Sequence, residues 1–180
     1  MQSFEAIELE TAMSERAREL AMRFDRVAEE FVGEIEGISA DQWRLDCVEE
    51  GRTVAALAHH VAWGYEVEIE AFAAIAEGRA PRTMNREALN RANAEHGEQY
   101  VDCDKGETVE LLRRNSAKAS AVVCGLTDEQ LERRGAYVGE HVASVDWWIE
   151  RILIGHPGMH LPAIRAAVVM TETSADRVDR

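Results

Sequence analysis

Between Met13 and Ile38, the apolar residues Met13, Ala17, Leu20, Phe24, Val27, Phe31, Ile35 and Ile38 recur at steps of three and four. At 3.6 residues per turn that spacing collects them into one stripe on an α-helix, which must be buried against other elements. The chain repeats the device. A second helix is expected from Val54 to Glu77, with core residues Val54, Leu57, Val61, Tyr65, Phe72 and Ile75 and with Gly78 as its stop. A third main helix is expected from Glu107 to Val123, closed by Gly125, and a last one from His141 to Met170 with the stripe Val145, Ile149, Ile152, His156, His160, Ala163 and Ala167. Only three prolines occur in 180 residues and β-branched runs are short, so the fold class is all-α.

The breaks between these stripes carry helix signals. Ser39 with Gln42, and Thr127 with Gln130, have capping-box spacing, the first opening a short turn that seats Trp43. Thr53 is placed to cap the second helix. Residues 85–100 form a shorter helix in the long crossover, with Leu89, Ala92 and His96 on one side. Four long amphipathic segments with one long crossover describe a four-helix bundle. Its length suits one domain, read as residues 1–170 followed by a polar tail, 171–180.

With 34 acidic against 20 basic residues the formal charge is −14. Phosphate binding needs concentrated cations, so nucleic acid and anionic membrane are poor partners. No apolar run approaches the ~18 residues of a membrane span. MQSFEAIELETAM lacks the basic and apolar regions of a signal peptide. Cys47, Cys103 and Cys124 are widely spaced, odd in number and form no CxxC pair, which reads as three reduced thiols in a cytoplasmic protein.

The histidines carry the chemistry. His156 and His160 sit four residues apart in the core stripe, one turn apart on one helix face, where two imidazoles can grip one ion. The other reading is a pair of hydrogen-bonded core histidines. A third donor comes from the second helix. His59 falls on the side of Glu66 and Glu70, which reads as solvent. His60 shares a strip with Leu57, Gly64, Val67 and Ala71, where the small Gly64 and Ala71 leave room for an ion or substrate. His60, His156 and His160 are therefore the candidate metal ligands, with Gly64, Val67, Asn93 and His96 as candidate groove-lining residues. Glu66 and Asn90 are weaker candidates for the same groove, and no general base is evident. His141 reads as a surface residue. Pro157 between the paired histidines clashes with the carbonyl of Leu153 in a continuous helix, so the helix either kinks or restarts there, and Pro162 is a second disturbance. Trp147 and Trp148 either cover the core or offer a face to a partner subunit.

Two stretches carry a family resemblance. Thr53-Val54-Ala55-Ala56-Leu57-Ala58-His59-His60-Val61 resembles the DinB/YfiT-like pattern of a capping Ser or Thr, an apolar turn, and a His followed by an aliphatic residue, with the ligand at His60. Ile154-Gly155-His156-Pro157-Gly158-Met159-His160-Leu161-Pro162-Ala163-Ile164 is similar to the family's two histidines near the end of the last helix. The resemblance implies a DinB/YfiT-like bundle with a short extra helix in its crossover. It also implies a divalent transition metal (zinc, nickel or iron) on three histidines and frequent homodimers. Some relatives use low-molecular-weight thiols, among them mycothiol-dependent maleylpyruvate isomerases and bacillithiol transferases. The expected function is a metal-dependent enzyme acting on a small-molecule substrate, a thiol-dependent transferase or related hydrolase. The alternatives are a non-catalytic metal- or small-molecule-binding stress-response module and a purely structural bundle.

Overall fold

The computed structural model describes residues 14–82 and 84–178. Met13 and the segment read for a signal peptide lie outside the described residues. Helix α1 spans Glu15–Gly37 and starts where the Ser14 hydroxyl accepts from the Ala17 amide at 3.1 Å. Its core face is the expected stripe with one shift: Ala28 is buried where Val27 is only half-buried. After it, Ser39 and Gln42 cap each other reciprocally, at 2.9 and 3.2 Å, and open a 3-10 turn over Gln42–Arg44. That turn buries Trp43, whose indole N–H donates to the Cys103 carbonyl at 2.8 Å. A two-residue hairpin, β1 (Asp46–Cys47) with β2 (Arg52–Thr53), leads into helix α2, Val54–Ala76. Gly51 turns that hairpin at a φ of 62°, open to glycine at no steric cost.

Helix α2 is the centre of the molecule. Seventeen of its 23 residues are buried, so it is a core helix covered on nearly all sides. Thr53 caps it by accepting from the Ala56 amide at 3.1 Å. Gly78, at a φ of 76°, ends it. The crossover then holds α3 (Arg86–Gln99), capped by Asn85, before α4 (Lys105–Cys124), capped by Asp104. Helix α4 packs on both α1 and α2, and the last helix does the same. The cyclic order is thus α1, α4, α2, last helix. The consecutive helices α1 and α2 sit on the diagonal and meet through the core, where Phe24 packs edge-on to Tyr65 at 5.0 Å.

The final quarter departs from expectation. Instead of one helix from His141, a short helix α5 (Asp128–Glu132) carries the Thr127–Gln130 capping box and is followed by an antiparallel hairpin of β3 (Arg134–Ala136) and β4 (Val142–Ser144). Three-residue strands leave too little periodicity to read. Their mark was Gly135, where a Cβ would lie 2.8 Å from the Ile75 side chain. Helix α6 (Val145–Trp148) then widens into a π turn over Ile149–Leu153, closed by the Ile154 amide on the Ile149 carbonyl at 2.9 Å. The chain restarts as α7, His156–Val178. Of the two routes open to Pro157, the structure takes the restart: it stands in the first turn of α7, where an N–H would lack a helical partner anyway. Pro162 lies inside α7, but Gly158, whose carbonyl loses its bond, is exposed to water. Helix α7 also runs past Met170, the expected end.

By length and composition Val145–Met170 would suffice to cross a membrane, contrary to the sequence reading. Here the segment packs on α1 and α2, and Arg165 pairs with Glu34 and Glu30 of α1. Of the two tryptophans, Trp148 covers the core and donates to the Gly135 carbonyl at 2.9 Å, while Trp147 is 38% exposed.

Phe24 is fully buried and holds the diagonal contact. Phe24→Ala should cost about 3–5 kcal/mol and lower the thermal midpoint by on the order of 10 °C. Urea unfolding and calorimetry check this; a loss near zero would mean that the diagonal contact is not part of the core.

Candidate metal centre

His60 projects from the buried helix α2. His156 is the first residue of α7 and His160 stands one turn further on. The restart forced by Pro157 sets where that turn begins. The three rings form a nearly equilateral group, with centroids 5.0 Å apart for His60–His156 and 5.2 Å for each of the other two pairs. One donor nitrogen from each lies within 4.8 Å of the others, and all three residues are buried. Gly64 makes the approach possible. It stands one turn from His60, and a Cβ there would fall 2.4 Å from His156 Cε1.

Two carboxylates that the sequence reading passed over support this group. Glu50 Oε1 lies 3.0 Å from His160 Nδ1, and with that nitrogen engaged the Nε2 lone pair is left free. Glu68 Oε1 lies 2.7 Å from His156 Nδ1, although the ring N–H is not aligned with it. Glu68 is only 4% exposed, and its Oε2 has no hydrogen-bond partner. The signal for Glu68 was present: it follows His60 and Gly64 at further helical turns, inside an otherwise apolar face. Glu50 gave no such signal, since it sits in a hairpin turn 110 residues from its partner. The Nδ1 of His60 is likewise buried with no hydrogen-bond partner. An imidazole nitrogen orphaned in this way, in a cluster of three imidazoles with two carboxylates beside it, fits a borderline-soft divalent ion.

Electrostatics favours the deprotonated form of His60 and His160. Burial, followed by the neighbouring His156, His160, Arg52 and His96, lowers the pKa of His60 from 6.5 to about 2. Burial and His156 also lower that of His160, against an upward pull from Glu50. Neutral imidazoles offer their lone pairs without competition from protons.

A second imidazole group lies behind the first. His59, expected on the solvent side, is half-buried because α3 covers that face of α2. Its ring stacks on Tyr100 at 3.6 Å, and its Nδ1 meets His96 Nε2 at 3.1 Å. His96 stacks on Trp63 at 5.0 Å, and its pKa falls to about 4 through burial, His59 and Arg52. His96 sits 5.7 Å from His60, behind Trp63. His141 is exposed, with its ring against Trp147.

The three histidines open onto a cavity of about 240 Å³. Val67 and Asn93 line it, as does Glu68, whereas Gly64 lies under the His156 ring. Glu66 does not reach it. It pairs with Lys118 on the other side of α2, at 3.0 Å. Asn90 lines an adjoining hollow beside Glu50 and Gly97, which shares Arg52 and Asn93 with the histidine cavity. A larger hollow of about 540 Å³ between α1 and α7 is lined by no histidine among the described residues.

Fold and site together define a four-helix bundle in which the central helix and an interrupted last helix deliver three buried histidines to one cavity. The DinB superfamily model matches residues 23–164 of the 180, and the chain belongs to that superfamily. Among solved structures, the fold is similar to that of YfiT from Bacillus subtilis, described as a probable metal-dependent hydrolase with an unusual four-helix bundle topology. The TM-score is 0.71 at 16% identity, over 89% of this chain and 90% of that one. No curated protein matches the sequence.

Two outcomes are expected from this geometry. Gly64→Ala should leave the helix content intact but displace the His156 ring, read as shifted imidazole resonances in NMR with little change in far-UV circular dichroism; unshifted resonances would mean that the cleft is not tight. For chelator-treated protein, His60, His96 and His160 bind fewer protons folded than unfolded between their lowered pKa values and 6.5. Stability should therefore fall as the pH drops below about 6.5, by up to ~1.4 kcal/mol per pH unit for each such proton. Urea midpoints at pH 7 and pH 5 measure this, and His60→Leu should flatten the dependence.

Proposed function

We propose that His60, His156 and His160 hold one divalent transition metal, zinc, nickel or iron, and that the protein is a metal-dependent enzyme acting on a small molecule in the adjoining cavity. The observation that carries this reading is the convergence of three buried donor nitrogens within 4.8 Å beside an orphaned ring nitrogen. Three protein ligands leave a coordination position free, which distinguishes a catalytic from a closed structural site. The family membership and the likeness to YfiT support the same reading.

When bound, such an ion supplies Lewis acidity that lowers the pKa of water or a small thiol towards neutrality. The remaining work falls to the chain. Glu50 fixes the His160 ring through Nδ1, and Glu68 sits against His156, so two of the three rings have a carboxylate beside them. Glu68, which lines the cavity and whose Oε2 is unpartnered, is the chain's candidate to accept a proton from a nucleophile. Trp63, Leu89, Ile152 and Met159 form apolar walls that limit water. Within this reading the reaction is transfer to a low-molecular-weight thiol, such as mycothiol or bacillithiol, or the related hydrolysis. Cytoplasmic residence and homodimeric assembly go with it, the latter checked by light scattering.

Elemental analysis of untagged protein never exposed to chelator should find about one metal per chain, and alanine at any of the three histidines should reduce it sharply. Chelation should lower the thermal midpoint, since a metal bound only by the folded state stabilises it by roughly 4 kcal/mol at a thousandfold excess over Kd. Metal-free protein with an unmoved midpoint would sink the proposal. Metal without turnover in a screen against water and thiols would instead assign a binding role.

A further inference from the structure

In a chain with 34 acidic and 20 basic residues, the wall of the histidine cavity includes two arginines, Arg52 and Arg82, against one carboxylate, Glu68. Glu68 stands 2.7 Å from His156 Nδ1. Arg52 is the more informative of the pair. It opens strand β2, just before the Thr53 cap, and its side chain is only 19% exposed. Its guanidinium is only partly compensated: Nη2 makes a loose ion pair with Glu50 Oε2 at 3.6 Å, without a hydrogen bond, and Nη1 is buried with no hydrogen-bond partner. Burying a guanidinium in that state is unfavourable unless something else completes it.

The packing shows that the position is built. On α3, Gly97 leaves space for the Arg52 stem, because a Cβ there would fall 2.9 Å from Arg52 Cδ and 3.2 Å from Cγ. Glu50 meanwhile divides itself between His160, at 3.0 Å, and Arg52. The arginine is held at the cavity by its stem and left partly unpaired at its head.

We infer that the molecule bound in this cavity carries a carboxylate, which completes Arg52, joined to a small apolar body that lies against Trp63, Leu89 and Ile152. A carboxylate matches the planar fork of an arginine and forms a charge-assisted bond. A phosphate dianion fits less well, because Glu50 stands beside Arg52 and Glu68 lines the same cavity, and both repel the second charge. A volume of about 240 Å³ lies below the ~300–1,000 Å³ of pockets that take drug-sized ligands, so the body is small. This inference names the substrate class of the site proposed above and rests on that proposal for its catalytic meaning.

The test uses benzoate as probe, its neutral isostere benzamide, and inorganic phosphate, each titrated calorimetrically into protein as purified, its metal content determined on the same sample. Benzoate should bind at least about tenfold more tightly than benzamide or phosphate, the worth of one charge-assisted hydrogen bond. Arg52→Gln should remove that preference without weakening benzamide, Arg52→Lys should retain part of it, and Glu50→Gln, which keeps an acceptor for His160 but removes a competing charge, should tighten benzoate. Circular dichroism and thermal melts confirm that each variant is folded; should Arg52→Gln not fold, the Lys and Glu50 variants carry the test. Benzoate bound equally well by the wild type and Arg52→Gln, lost only with the metal, would place the carboxylate on the metal and overturn the inference while leaving the metal centre standing. No binding of benzoate, or a preference for phosphate, would overturn it as well. Arg52-dependent benzoate binding to protein that carries no metal would keep the inference and refute the metal centre.

Discussion

A helix buried on almost every side can place a polar group only against another polar group. Helix α2 is that helix, and His60 and Glu68 are its buried polar members. Each is carried at a helical turn of the same face, with Gly64 between them, and each meets the His156 ring delivered by α7. The rest of the molecule arranges the cover. Helices α4 and α1 supply apolar surface, α3 closes the side of His59, and α7 brings the remaining donors. The desolvation that pulls the His60 pKa down to about 2 is the same burial that gives the bundle its core.

The interruption of the last helix is the second constraint. A straight continuation from Val145 would set Pro157 against the carbonyl of Leu153. The π turn at Ile149–Leu153 and the restart at His156 remove that clash and begin a new helix on a ligand-type residue. The hairpin that precedes it is tied in at the Met84–Val138 bridge, so the crossover and the final quarter meet at the cavity mouth. Wide helical turns at functional sites are a recurrent economy, since they re-aim a side chain without ending the element.

Much of this was legible from residue spacing. The α1 stripe, the two capping boxes, the Thr53 cap and the stops at Gly78 and Gly125 are local, and each appears where the sequence puts it. The phase that separated His60 from His59 correctly sent His60 towards α7. It failed for His59 itself, because phase tells which way a side chain points, not what covers that direction. Glu66 shows the same limit from the other side: its exposed face belongs to Lys118 rather than to the cavity.

By itself the sequence determined the elements and their punctuation: helix periods, caps, the proline that forbids a continuous last helix, and the histidines whose spacing lets two of them share a face. These follow from interactions among residues a few positions apart. Only the tertiary structure decided which helices are neighbours, how the last helix restarts, and which charged groups surround the imidazoles. Glu50 reaches His160 across 110 residues, and Gly97 of α3 accommodates the stem of Arg52. Contacts of that kind depend on the packing of a diagonal bundle around one buried helix, and no local period encodes them.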